Sequence, residues 1–244
     1  MNGGSDAGFN QAAIEDELEQ QRRLSQADAY LTWLFRNLGP YIGDRVLEVG
    51  CAIGNITQFL IDKPRVVGID VAPEMIEVIR ERFDDYTGFS AHVYDILDPS
   101  VLELADQAFD TVICPHVLEH VRDDEMAMRH VRGLLQPGGR LVLLVPTVKW
   151  VWGSLDVATG HQRRYNWREV KDLCERTGFR IEDHWYVNFM AVLGWFYTGR
   201  ILKKTIIPTE QYGLYNRLTP VLARLETWLR PPMGLSVVAV CEAV

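Results

Sequence analysis

Val46-Leu47-Glu48-Val49-Gly50-Cys51-Ala52-Ile53-Gly54-Asn55 is the stretch that decides the fold. A short apolar run enters a turn with small residues at 50, 52 and 54. Such residues let the backbone bend sharply and approach a ligand where a Cβ would collide. Residues 45–49 therefore read as a strand, followed by the turn and a helix. Working outward, residues 65–69, 89–94, 109–114 and 140–145 read as further strands, the last nearly continuously apolar, as a strand buried on both faces should be. Helices alternate with them: one starting near Pro73, a short one from Asp98-Pro99, and one over residues 123–135. This alternation predicts an α/β fold, a doubly wound and mostly parallel sheet with helices on both faces.

The flanks complete the plan. Residues 1–10 read as a disordered leader, and 11–38 as one or two helices with Leu24, Tyr30, Leu31, Leu34, Phe35 and Leu38 as apolar positions, stopped by Gly39-Pro40. Asn166 with Glu169 makes a capping-box pattern for a helix through Arg176, ended by Thr177-Gly178. A sixth strand follows over 179–186. Residues 188–233 are an apolar, then helical, insert bounded by Pro231-Pro232, and 235–241 form the final strand. The expected organisation is a leader and lid helix (1–38), a ligand-binding core (39–187), a substrate cap insert (188–233) and a last core strand (234–244).

Composition narrows the partners. The 244 residues are 48% hydrophobic, enough for a real core, and carry a formal net charge of −8, which argues against a nucleic-acid partner. Cys51, Cys114, Cys174 and Cys241 stand far apart without a C-x-x-C pair, so neither a zinc knuckle nor a disulfide framework is expected. The start, MNGGSDAGFNQ, has no apolar h-region. The longest apolar run, Phe189 to Tyr197, falls well short of the roughly 20 residues of a membrane span. A cytoplasmic protein is the expectation.

In an open parallel sheet, ligands bind at the carboxyl ends of the strands, where the 50–54 turn lies. The spacing is not the dinucleotide fingerprint: position 53 is Ile and the third glycine is missing, which favours a ligand without phosphate. Asp70, at the end of Gly68-Ile69-Asp70, suits a ribose diol; its other reading is a cap for the next helix. Asp95 and Ile96 suit an adenine amino group and ring. His116-Val117-Leu118-Glu119-His120 fits H-x-x-E-H, and on a helix 116 and 120 would share a face. No third ligand is evident, so no metal is expected.

These pieces, with Phe109-Asp110-Thr111-Val112-Ile113-Cys114 and Leu134-Leu135-Gln136-Pro137-Gly138-Gly139-Arg140-Leu141, resemble the class I S-adenosylmethionine (SAM)-dependent methyltransferases over roughly residues 40–187. The resemblance implies seven strands with the last antiparallel, and SAM as cofactor with S-adenosylhomocysteine as product. It implies that Glu48 and the backbone of Gly50, Cys51, Ala52 and Gly54, with Asn55, hold the methionine end. Asp70 would take the ribose, Val71, Met75, Asp95 and Ile96 the adenine, and Cys114, Pro115, His116 and Val117 the wall near the sulfonium. The family usually has glycine where this chain has Ala52, and a small, tolerated intrusion is expected.

On the substrate side, the segment after the fifth strand carries Trp150, Trp152, His161, Arg163, Arg164 and Tyr165. His161 is the candidate base, with His116 a second catalytic candidate, and Arg163 or Arg164 an anion clamp. Tyr165 lines substrate or else staples the helix entry against Val170. The loop as a whole reads equally as a solvated helix cap. Tyr30 and Trp33 are lid-side substrate candidates. The insert, where Phe189–Tyr197 is followed by Arg200, Lys203 and Lys204, reads first as a packed cap or dimer contact and second as a peripheral membrane contact through 188–204. The second half loosely resembles methyltransferases of cell-envelope saccharide and polyprenyl-linked pathways, which implies a small-molecule or lipid-linked acceptor. The competing functions are a non-catalytic SAM-binding partner and a nucleotide-cofactor oxidoreductase.

Overall fold

The computed structural model describes residues 11–207 and 209–244; the leader expected over 1–10 lies outside them. Strands β1 (Arg45–Val49), β2 (Arg65–Asp70), β3 (Phe89–Val93), β4 (Phe109–Pro115), β5 (Leu135–Pro146), β6 (Phe179–Val187) and β7 (Ser236–Ala243) form one sheet in the order β3-β2-β1-β4-β5-β7-β6. The first five pair in parallel, and β7 slots between β5 and β6 antiparallel to both. The carboxyl ends of β1, β2, β4, β5 and β6 therefore share one edge.

The two-residue period of a strand sends alternate side chains to opposite faces. Leu47 of β1, Val112 and Cys114 of β4, and Leu141, Leu143 and Val145 of β5 enter one core cluster. It is covered by α4 (Asp124–Leu134), α6 (Trp167–Arg176) and the 3₁₀ helix Pro99–Gln107. Val46, Ile113, Val142 and Leu144 enter the opposite cluster with Leu31, Leu34 and Leu38 of α2 (Asp28–Leu38), while α3 (Pro73–Arg82) covers the β3 edge through Ile76 and Ile79. The sheet is doubly wound, with helices on both faces. Asp98 caps the 3₁₀ helix by accepting from Ser100 N at 2.8 Å, and Asn166 and Glu169 exchange both capping-box bonds at 3.0 Å.

One local expectation fails. After the 50–54 turn no α-helix forms; a 3₁₀ turn, Thr57–Phe59, stands in its place. The segment's polar side chains are claimed by tertiary partners, Asn55 by Gln21 and Thr57 by Glu48, and β-branched Ile56 and Thr57 with Asn55 favour helix weakly. Residues 116–120 also form a turn, so His116 and His120 do not share a helix face. The insert comprises α7 (Ala191–Phe196), a π-turn (Tyr197–Ile201) and α8 (Thr209–Leu229), which packs along α2. No helix among the described residues is long and apolar enough to cross a membrane.

Candidate active site at the carboxyl edge of the sheet

The edge is marked by backbone strain. Non-glycine residues with positive φ stand just past the ends of four strands: Ala52 (+44°) after β1, His116 (+57°) after β4, Val148 (+60°) after β5 and Asn188 (+62°) after β6. Such conformations persist only where surrounding contacts over-determine them, and they cluster at functional sites.

At β1, Gly50 (φ +74°) and Gly54 (φ +84°) are required by packing. A Cβ on Gly50 would stand 2.4 Å from Val117 Cγ2, and one on Gly54 2.4 Å from the Phe83 ring. At Ala52 the departure from the family glycine is felt in the backbone, because a left-handed L-residue costs about 1–2 kcal/mol. Asp70 pins that turn: its Oδ2 accepts from Ala52 N and its Oδ1 from Ala72 N, both at 3.0 Å. Burial raises the Asp70 carboxyl, and these N–H groups offset only part of the shift. Glu48 is buried beside it and accepts from Thr57 Oγ1 at 2.5 Å. Burial pushes Glu48 up to about 8, opposed by the Thr57 hydrogen bond and assisted by the charge of Asp70.

Asn55 Nδ2 donates to the Gln21 carbonyl and to Gln21 Oε1, at 3.0 and 2.9 Å. Helix α1 (Gln11–Leu24) thus crosses this turn, and the charge of Glu17 reaches Asp70. Asn55 Oδ1 is buried without a partner. Val71 is exposed at the end of β2, whereas Met75 is buried on α3. Asp95 is exposed and accepts from Leu97 N at 2.8 Å, with buried Ile96 beside it. Cys51 and Cys114 lie within the core, their thiols pushed far up by burial. Pro115, His116 and Val117 are half-buried around the turn after β4.

The substrate-side loop closes against that turn. Gln162 N donates to the Glu119 carbonyl at 2.7 Å, and Gln162 Nε2 to that of His120 at 2.6 Å. His161 Nδ1 lies 3.0 Å from Asp156 Oδ1, its Nε2 lies 4.0 Å from Glu119 Oε1, and its ring meets the His120 ring edge-on at 4.9 Å. Glu119 is fully buried; its Oε1 lies 2.9 Å from His116 Nδ1 and its Oε2 has no partner. Burial raises the Glu119 carboxyl, but His116, His120 and His161 outweigh it and the net shift is downward.

Asp156 is the hub. Besides His161 it accepts from Arg164 Nε at 2.6 Å, Gly153 N at 3.0 Å and Trp195 Nε1 at 3.2 Å. Burial opposes ionisation, but the His161 hydrogen bond and the Arg164 charge dominate and hold the carboxyl down at about 2.

This network reassigns several residues. Arg164 is buried, with NH1 on the Thr147 carbonyl at 2.7 Å, so its fork is spent inside the protein rather than open to an anion. Arg163 is likewise engaged with Asp124 and the Arg122 carbonyl, both at 2.7 Å. Tyr165 is buried in the same core cluster as Val170, its hydroxyl 2.8 Å from Asp124 Oδ2, a position consistent with the staple reading. Tyr30 and Trp33 pack into the α2–α8 layer, Tyr30 OH accepting from Asn188 Nδ2 at 3.1 Å, while α1 rather than α2 crosses the cofactor turn. Trp150 is exposed and edge-on to Phe196; Trp152 is half-buried, and its backbone carbonyl accepts from Arg200 at 3.0 Å. The insert caps this loop: a Cβ on Gly153 would stand 2.9 Å from the Gly199 carbonyl, and Trp195 reaches Asp156. Sequence reasoning missed Asp156 and Trp195. The only available signal for Asp156 was an acid five residues before His161, in a loop bracketed by Gly153 and Gly160.

A doubly wound sheet with a strained glycine turn and an acid at the ends of its first two strands defines a nucleoside-binding α/β domain. Comparison with known proteins narrows the class. A methyltransferase-domain family model matches residues 47–141. A ubiquinone biosynthesis O-methyltransferase of Xanthomonas euvesicatoria is 38% identical over 189 residues, covering 70% of this chain and 76% of that protein. An uncharacterised 37.1 kDa protein in transposon TN4556 of Streptomyces fradiae is 30% identical over 175 residues, 69% of this chain and 49% of that protein. A SAM-dependent methyltransferase from Archaeoglobus fulgidus shares the fold at a TM-score of 0.59 and 17% identity, over 88% of this chain and 94% of that one. The chain belongs to the class I SAM-dependent methyltransferase family, with SAM as its cofactor. It spans about half the length of the first curated relatives it matches.

Proposed function

We propose that this chain transfers the methyl group of SAM to an oxygen of a small-molecule acceptor that is lipid-linked or amphiphilic. The carrying observation is the Asp156–His161 pair at the mouth of the cofactor edge. Asp156 engages Nδ1 at 3.0 Å, which leaves Nε2 facing the turn after β4. The cofactor-side residues fit SAM. Asn55 Oδ1 is an orphaned acceptor, and Glu48 and Asp70 are buried carboxyls, both raised by desolvation, whose ionised forms a cationic ligand would favour. When bound, SAM supplies an electrophilic methyl group. The protein's part is to hold the acceptor in line, exclude water and help remove its proton.

Asp70 would hold the ribose, Glu48 and Asn55 the methionine end, and Val117, packed on Gly50, the wall. His161 would activate the acceptor hydroxyl. Oxygen as the accepting atom draws support from the Xanthomonas relative, by name an O-methyltransferase. An amphiphilic acceptor draws support from the insert, which exposes Leu193, Tyr197 and Ile201 beside the capped loop. The same surface supports peripheral contact with a membrane.

The test is direct. Calorimetry should show SAM and S-adenosylhomocysteine binding at one site, and S-adenosylhomocysteine release should follow addition of hydroxylated amphiphiles. His161→Ala should lower kcat by about 10²–10⁴-fold with SAM affinity kept. A folded protein that binds neither nucleoside would end this proposal.

A further inference from the structure

Glu119, His120 and His161 each offer a ligand atom, and these atoms all lie within 4.8 Å of one another. Two imidazoles and one carboxylate are the protein ligand set of a cation site that keeps coordination positions open. Three independent features go beyond proximity. Glu119 is 0% exposed, yet its Oε2 has no hydrogen-bond partner. An ionised oxygen left bare in a protein interior is costly, and a cation satisfies it.

Each of the three residues also has an outer partner. Asp156 Oδ1 engages His161 Nδ1, the Gly160 backbone engages the His120 ring, and His116 Nδ1 engages Glu119 Oε1. Metal-binding histidines and carboxylates are oriented in just this way. Finally, two separate loops are locked together at this point by the Gln162 bonds to the Glu119 and His120 carbonyls. That contact brings in the third ligand missing from the H-x-x-E-H motif. Ligand atoms around one ion with bonds of 2.0–2.1 Å lie roughly 3.3 Å apart. The ligand atoms, now up to 4.8 Å apart, must therefore close by up to about 1.5 Å on binding.

We propose that Glu119, His120 and His161 bind one divalent transition-metal cation that ligates the acceptor oxygen. The inference rests on the acceptor being activated at this corner, and it recasts His161 as a ligand rather than a free base. A cation there lowers the pKa of a bound hydroxyl. The O–H bond breaks with its proton passing to water. The oxygen lone pair forms the new C–O bond as the C–S bond breaks, its electron pair going to sulfur.

Co²⁺, whose visible absorption reports ligand geometry, is the probe. Full-length protein stripped with EDTA should bind one Co²⁺ per chain with a visible spectrum that one equivalent of Zn²⁺ abolishes. Glu119→Gln and His161→Asn should each weaken Co²⁺ binding by at least about 10-fold, and Asp156→Asn by about 10–100-fold. His120→Asn, at the more solvent-accessible ligand, provides a second reading if a buried variant misfolds. Unchanged S-adenosylhomocysteine binding certifies each fold. No Co²⁺ spectrum, or variants that bind Co²⁺ as the parent does, overturns the proposal. Undiminished methyl transfer by metal-free protein overturns the cation and leaves the methyltransferase reading standing. A bound cation without transfer to any hydroxylated acceptor does the reverse.

Discussion

Burial keeps the Glu48 carboxyl protonated up to about pH 8, and this has two measurable consequences of opposite sign. In the unfolded chain the group ionises near 4.3, so between that value and 8 the unfolded state has released a proton that the folded state retains. Stability from this group is complete below the unfolded value and is lost as pH rises through the folded one. The melting temperature of the ligand-free protein should therefore show a downward contribution from pH 5 to 8, and Glu48→Gln should flatten it. SAM binding runs the other way: a cation favours the carboxylate, so affinity should rise toward pH 8 with proton release, by at most about tenfold per pH unit. Calorimetry in buffers of differing ionisation enthalpy reads the proton directly, and Glu48→Gln should lose it. At Ala52, where φ is +44°, Ala52→Gly removes the left-handed penalty of about 1–2 kcal/mol but adds chain entropy of about 0.4–1 kcal/mol. The expected result is a gain of roughly 0–1.6 kcal/mol by denaturant titration, with SAM affinity unchanged. The need for Gly50 and Gly54 was legible in the sequence, because sharp turns call for small residues. The strain at 52 was not, since it depends on Asp70 reaching back across the turn.

At the scale of elements, legibility followed locality. The strands announced themselves through apolar runs, and α6 through a capping box whose two residues lie three apart. The helix expected after β1 failed because Glu48 and Gln21, distant in sequence or from another element, claim Thr57 and Asn55. The candidate site was half legible for the same reason. Residues on the cofactor turns follow from strand ends, whereas Asp156 acquires its role only when His161 and Arg164 from one loop and Trp195 from the insert converge on it. That convergence makes a strong stability prediction. Arg164 and Asp156 are both buried, and removing one partner of a buried ion pair costs about 3–5 kcal/mol. Arg164→Met should lower the melting temperature by roughly 6–20 °C for a chain of this size. Trp195→Phe removes a single hydrogen bond to Asp156 and should cost about 1 kcal/mol, with a larger relative effect on kcat than on SAM affinity.

Over the whole molecule, charge and apolar surface are segregated. Residues 188–233 carry six basic residues against two acidic, while the remainder carries 19 against 31. In that same segment Leu214, Leu218, Val221, Leu225 and Trp228 are exposed along α8, spaced alternately four and three apart, so that they form one stripe. Arg217 and Arg224 lie on the same helix next to that stripe in sequence. A basic, apolar-faced element on an otherwise acidic body is what the proposed membrane contact requires of an anionic interface, since each Lys or Arg near such a surface contributes about 1 kcal/mol and an acidic body is repelled from it. The protein should therefore float with vesicles containing phosphatidylglycerol, should not float with phosphatidylcholine alone, and should dissociate as salt rises. Replacing Arg200, Lys203 and Lys204 together by Glu should weaken that binding by at least about 100-fold, following the same per-residue contribution, while SAM affinity is unaffected. Equal recovery on neutral and anionic vesicles would show that charge does not direct the contact. Recovery on neither would leave the α8 stripe to a protein partner and remove the membrane from the account of how an amphiphilic acceptor reaches His161.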